Sequence, residues 1–209
     1  MSYNLIEINK QQIISESDTF TPLRYRLFLK YLYPSHKTLL DFGCNTGRGG
    51  VVLKSFRSDL ILTGADIVSE RLESIPTNIY YEIVDLSLSP FSDIISNFDA
   101  IVSGEVVEHI PFTDLINYLR LFYDRLNTDG LLLLTTPNPD SFLVKLGRDS
   151  VLTDSAHINI MSRDFLQTIL EKIGFKNIII KGCGKATKYF GDNFPIFNIY
   201  GSYLVIAHK

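Results

Sequence analysis

The sequence predicts an α/β protein built on a doubly wound, largely parallel sheet. Three observations carry this reading. Apolar runs of strand length alternate with segments of helical periodicity, the first three runs each end in an acid (Asp41, Asp66, Asp85), and the first passes straight into a glycine-punctuated turn. Strands alternating with helices at this spacing imply parallel pairing through crossover connections, and sheets of this kind hold ligands beyond the carboxyl ends of their strands.

Each element has a local reason. Phe20 to Leu32 carries apolar residues at helical spacing with Pro22 near its start, so it reads as a helix covering the ligand side. Thr38 to Phe42 is the first strand, and Thr46 to Phe56 the next helix, with Thr46 as its cap. Leu60 to Ala65 and Ile79 to Val84 are the second and third strands. Phe98 to Ser103 is the fourth, Asp114 to Leu126 an amphipathic helix, and Gly130 to Thr135 the fifth strand. Ser162 caps a helix whose Phe165, Leu166, Ile169, Leu170 and Ile173 repeat at helical spacing before Gly174 stops it. Asn177 to Lys181 and Tyr200 to Ala207 close the sheet. Nothing in the pattern separates two domains: 1–209 reads as one domain, with 1–36 an N-terminal helical cap and 137–160 a lid-like insertion.

The segment Leu39-Leu40-Asp41-Phe42-Gly43-Cys44-Asn45-Thr46-Gly47-Arg48-Gly49-Gly50 is the most informative. A strand that stops in such a turn exposes backbone N–H groups and lets a ligand approach the main chain, as nucleotide-like cofactors require. The spacing of Gly43, Gly47, Gly49 and Gly50 is not G-x-G-x-x-G, and no G-K-[ST] follows. Asp41, two residues before the first glycine, would repel a phosphate. It suits a cationic ligand.

Composition narrows the class. A chain of 209 residues with 45% hydrophobic and 21% charged residues is ordinary for a globular protein. A net charge of −3 argues against broad capture of nucleic acid. Cys44 and Cys183 are too few and too far apart for a disulfide framework, and with no signal peptide or long apolar run the chain reads as cytoplasmic, without integral membrane association. No feature selects an oligomeric state.

The pattern Asp-x-Gly-Cys-x-x-Gly resembles the first motif of class I S-adenosylmethionine-dependent methyltransferases. Further matches follow in register: Gly64-Ala65-Asp66-Ile67 at the second strand end, Val84-Asp85-Leu86 at the third, Phe98 through Ile110 at the fourth, and Leu126-Asn127-Thr128-Asp129-Gly130 before the fifth. The resemblance, from about Pro22 to Lys209, implies a Rossmann-like doubly wound seven-stranded sheet, mostly parallel with one antiparallel edge strand. It implies S-adenosyl-L-methionine as cofactor, with Asp66 on the ribose hydroxyls and Asp85 by the adenine. The cofactor set it implies is Arg24, Asp41, Gly43, Cys44, Asn45, Gly47, Asp66, Ile67, Asp85, Leu86, Gly104 and Glu105. Within the superfamily, Thr21-Pro22-Leu23-Arg24-Tyr25 looks like the Asn-Pro-Leu-Arg segment of the ubiquinone-pathway O-methyltransferases, which implies that Arg24 meets the cofactor carboxylate. Asn45 departs from that group's glycine, and the insertion after strand five is shorter here.

Glu105, Glu108 and His109 share one face of a helical turn, so they can converge on a point beyond strand four. Two readings compete. In one, they form with His157 a shell for a divalent cation such as Mg, similar to the metal site of the small-RNA 3′-terminal 2′-O-methyltransferases. In the other, Glu105 closes the adenosine pocket, Glu108 sits at a helix N-terminus, and His109 is a general base. Glu108 and His109 are the catalytic candidates, and Tyr189 and Phe190 are candidate walls of an acceptor pocket. The expected activity is methyl transfer to a hydroxyl of a small molecule such as a phenol, sugar or glycolipid precursor. The alternatives are a metal-dependent RNA 2′-O-methyltransferase and a catalytically inactive cofactor-binding partner subunit.

Overall fold

The computed structural model describes residues 7, 9, 12, 17–88, 94, 96–147 and 154–209. In chain order its main elements are α1 (Phe20–Tyr31), β1 (Thr38–Phe42), α2 (Arg48–Phe56), β2 (Ile61–Asp66), α3 (Ser69–Leu72), β3 (Glu82–Asp85) and β4 (Phe98–Gly104). A 3₁₀ turn (Val107–His109) leads into α4 (Phe112–Arg125), β5 (Leu126–Pro137), α5 (Phe142–Lys145), α6 (Arg163–Ile173), β6 (Lys176–Cys183), α7 (Thr187–Phe190) and β7 (Ser202–His208).

The strands form one seven-stranded sheet in the order β3-β2-β1-β4-β5-β7-β6. β1 to β5 pair in parallel, while β7 runs antiparallel to both β5 and β6. The reversed strand is therefore threaded inside the outermost one. Strand order reverses between β1 and β4, and the crevice outside the carboxyl ends of these two strands is where such a sheet takes a ligand.

Alternation along the central strands sorts the core into two layers. Leu40, Ile101, Leu132, Leu134 and Val205 pack with Leu115, Leu119 and Phe122 of α4 and with Leu166 and Leu170 of α6. Leu39, Ala100, Val102, Leu131, Leu133 and Leu204 pack on the other face with Tyr25 and Phe28 of α1 and Leu53 of α2. Covered on both faces, these strands read as nearly continuous apolar runs.

Several boundaries differ from the sequence expectation, each for a local reason. Helix α2 starts at Arg48: Gly47 holds the N-cap in the left-handed region at φ 77°, so Thr46 is not the cap. β3 covers only Glu82–Asp85, because Ile79 and Tyr80 turn into the core instead of pairing. β5 is longer than expected, since Leu126 pairs opposite Phe98 and the chain bulges through Asp129 at φ 62°. Helix α6 has the predicted ends: Ser162 Oγ accepts from the Phe165 N–H and Gly174 stops it at φ 125°. Asp18 caps α1, its carboxylate accepting from the N–H groups of Phe20 and Thr21. No helix among the described residues is long and apolar enough to cross a membrane.

Candidate active site

A cavity of about 890 Å³ opens at the carboxyl end of the sheet, over the β1/β4 crevice. Its wall includes Arg24, Gly43, Asn45, Asp66, Ile67, Leu86, Gly104, Glu105, His109 and His157. Ten of the residues expected at the site from sequence are thus brought together.

The turn after β1 forms the cavity floor. Gly43 has φ 77°, and a Cβ there would stand 2.2 Å from Val106 Cγ2, so only glycine fits. Asn45 also takes the left-handed region, φ 49°, where asparagine is better tolerated than most residues. Its side chain caps the Thr46 N–H at 2.9 Å and donates to the Gln12 carbonyl at 2.7 Å.

Asp41, Cys44, Gly47 and Asp85 lie off the cavity wall. Asp41 is fully buried below it, accepting 2.6 Å hydrogen bonds from the hydroxyls of Tyr25 and Tyr80. The expectation that Asp41 faces a cationic ligand is corrected: it pins α1 and the Tyr80 turn to β1. Burial pushes its carboxyl up to about 6, and both tyrosine hydroxyls, buried beside it, are raised well above their usual range. Gly49 makes this possible, since a Cβ there would meet the Tyr25 ring at 2.0 Å. Cys44 is buried near Tyr80 and Gly64, Gly47 serves helix geometry, and Asp85 accepts from the N–H and hydroxyl of Ser87.

Asp66 ends β2 and is 5% exposed. One carboxylate oxygen accepts from Arg71 at 2.7 Å and from the Val68 N–H at 3.1 Å, the other from the Asn45 N–H at 2.9 Å. Sequence reasoning missed Arg71. Its Nη1 also donates to the carbonyls of Asn9 and Gln12, so it joins the acid at the β2 terminus to the N-terminal segment.

At the β4 terminus Glu105 is held at φ 57°, an uncommon conformation for a residue with a Cβ and one that clusters at functional sites. Its Oε2 accepts from the hydroxyl of Ser202, another residue no motif indicated. Its Oε1 lies 3.7 Å from Arg24 Nε, and among the described residues neither of these buried atoms has a hydrogen-bond partner. An unpartnered guanidinium nitrogen and an unpartnered carboxylate oxygen, side by side on a cavity wall, fit a ligand that carries both an anionic and a cationic group, such as an amino acid.

Glu108 is 0% exposed and stands behind the wall. Thr136 donates to one of its oxygens, and burial together with nearby Glu105 raises its pKa well above the usual carboxylate range. Its carbonyl accepts the N–H groups of Ile158 and Asn159, which anchors the segment bearing His157. His109 Nδ1 lies 3.0 Å from the Ala156 carbonyl, so that nitrogen carries the proton and Nε2 keeps its lone pair. Burial and neighbouring His157, whose ring is 5.0 Å away, lower the His109 pKa.

One ligand atom from each of Glu108, His109 and His157 lies within 4.8 Å of the others, a spacing that a divalent cation can bridge. Glu105 is not part of this group. Its Oε2 is turned to Ser202 and its Oε1 toward Arg24, so the expectation of four converging ligands is corrected to three. Tyr189 and Phe190 are not on the wall either; both are exposed on α7. Leu143, Lys185 and Ile199 stand on the wall instead.

The sheet order and the matching family model together identify a class I S-adenosylmethionine-dependent methyltransferase. Residues 18–179 match the family model for a methyltransferase domain, and the chain belongs to that family. A SAM-dependent methyltransferase from Archaeoglobus fulgidus superposes with a TM-score of 0.70 at 20% identity, over 90% of this chain and 92% of that one. The mitomycin 7-O-methyltransferase MmcR also gives 0.70 at 17% identity, over 90% of this chain and 53% of its own length. The methyltransferase domain of a bacterial Hen1 gives 0.66 at 18% identity, over 91% and 100%. Comparison with curated protein sequences yields no match.

Proposed function

We propose that this methyltransferase modifies a hydroxyl oxygen of a small molecule, with His109 as the proton acceptor. The observation that carries the reading is the fixed tautomer of His109: with Nδ1 hydrogen-bonded to Ala156, a basic Nε2 belongs to a cavity-wall residue. Bound S-adenosylmethionine supplies an electrophilic methyl group on a sulfonium. Arg24 and Glu105 would hold its carboxylate and ammonium, and Asp66 its ribose hydroxyls, with Ile67 and Leu86 as apolar walls. What the chain itself adds is alignment of the acceptor, exclusion of water and removal of one proton. The mitomycin enzyme's activity and the likeness of the Thr21–Tyr25 segment to ubiquinone-pathway enzymes support oxygen as the accepting atom. Incubation with S-adenosylmethionine and a panel of phenols, catechols and sugars, read by mass spectrometry, is the test. Methylated product from wild type and none from His109→Ala supports it; methylation confined to amines overturns it.

A second reading draws on the cluster of Glu108, His109 and His157 and on the Hen1 neighbours, one of which was solved as a small-RNA methyltransferase. In it Glu108, His109 and His157 would hold a divalent cation, with Glu108 ionised against the metal's charge despite its burial; the chemistry supplied would be a lowered pKa of the acceptor hydroxyl. Activity lost on chelation and restored by added metal, with RNA 3′ ends as acceptor, would select this reading over the first.

A further inference from the structure

Gln12 bonds to both sides of the cavity. Its carbonyl accepts from Asn45 Nδ2 at 2.7 Å and from Arg71 Nη1 at 3.3 Å, and Arg71 in turn grips Asp66. Its side-chain amide donates to Asp154 Oδ1 at 3.3 Å, 142 residues away in sequence. That same oxygen accepts the Ala156 N–H at 2.9 Å, and the other Asp154 oxygen lies 3.8 Å from His157 Nε2. The Ala156 carbonyl fixes His109. A continuous polar chain therefore runs from Asp66, through Arg71 and Gln12, to Asp154 and on to both histidines.

We propose that Gln12 is a positioning residue that couples cofactor occupancy at Asp66 to the order of the segment carrying His157 and fixing His109. Asp66 Oδ1 already accepts two hydrogen bonds, so a ribose diol arriving at this carboxylate competes with Arg71 for it. A guanidinium released even in part from Asp66 strengthens its bonds to the Asn9 and Gln12 carbonyls, and the Gln12 amide carries that restraint to Asp154. The coupling is an equilibrium property with identifiable contacts at each end. It rests on the cofactor set assigned above and takes the histidines as the acceptor side. The experiment below reads the coupling without any acceptor, so a failure to find a methylated hydroxyl leaves its outcome intact.

The test is amide hydrogen exchange of residues 154–159, with and without saturating S-adenosylhomocysteine, on the full chain. In wild type the ligand slows exchange of the Ile158 and Asn159 N–H groups, which are bonded to the Glu108 carbonyl. In Gln12→Ala, S-adenosylhomocysteine affinity by calorimetry stays within about threefold, because the backbone carbonyl still serves Arg71 and Asn45, but the ligand-dependent protection is lost. Gln12→Glu, which sets carboxylate against carboxylate, abolishes it too. A merely structural role would lower the protection of these amides equally with and without the ligand. Protection by the ligand that persists in Gln12→Ala, or exchange that rises by the same factor in the free and the bound variant, overturns the proposal.

Discussion

Asp41→Asn isolates the structural half of the first motif. In the folded protein Asp41 is fully buried between two tyrosine hydroxyls, and its pKa is pushed up to about 6 from an ordinary value of 3.8. A carboxyl whose folded pKa is raised binds its proton more tightly in the native state. Its stabilising contribution is therefore complete below the unfolded pKa and is lost as pH climbs through the folded one. Two-state linkage with those two values puts the loss between pH 4 and pH 7 at about 2 kcal/mol. Urea denaturation of wild type and Asp41→Asn across this range, subtracted pH by pH, removes the common contribution of every other group. The difference should shrink or reverse by about that amount as pH rises, with the change falling between the unfolded value of 3.8 and the folded value of about 6 and levelling off above it. A difference flat from pH 4 to pH 7 would refute the burial argument.

Three other outcomes follow from particular contacts. Asp66→Ala should weaken S-adenosylhomocysteine binding by about 1–3 kcal/mol, measured by calorimetry, through lost hydrogen bonds to a charged acceptor. Gly43→Ala drives a Cβ to 2.2 Å from Val106 at φ 77°, and should lower stability by about 1–3 kcal/mol in thermal unfolding. A Gly43→Ala, Val106→Ala double variant should recover part of that loss, leaving the backbone strain. His109→Ala should reduce methyl transfer by about 10²–10⁴-fold while leaving S-adenosylhomocysteine affinity nearly unchanged, the pattern of a group that acts on the proton and not on cofactor binding.

Much of the fold was legible because both sheet faces are covered: β1, β2 and β4 announce themselves as unbroken apolar runs, and the acids and glycines at their ends mark the crevice. The apolar pattern extends β3 back to Ile79 because Ile79 and Tyr80 are as apolar as strand residues, and only the hydrogen bond from Tyr80 to Asp41 shows why they turn inward. The same bond explains the misreading of Asp41. A strand-end acid next to a glycine turn points to a ligand unless one knows that two tyrosines, 16 and 39 residues away, fill its acceptor sites. Arg71, Gln12 and Ser202 carry no motif; each is defined by contacts from distant parts of the chain, which periodicity cannot report. Glu105 and Glu108 are three residues apart, as the spacing on one helical face requires. The backbone leaves β4 through a left-handed residue at Glu105, however, and this swings the two carboxylates to different duties.

The proposed cofactor site gathers Arg24, Asp66 and Glu105 around S-adenosylmethionine at the β1/β4 crevice. Calorimetric titration of S-adenosylhomocysteine into wild type and Glu105→Gln measures it directly. Binding should saturate at one site per chain and weaken at least tenfold when the carboxylate facing Arg24 loses its charge. Equal affinity in the two proteins, or no heat of binding to wild type at millimolar ligand, would contradict this assignment.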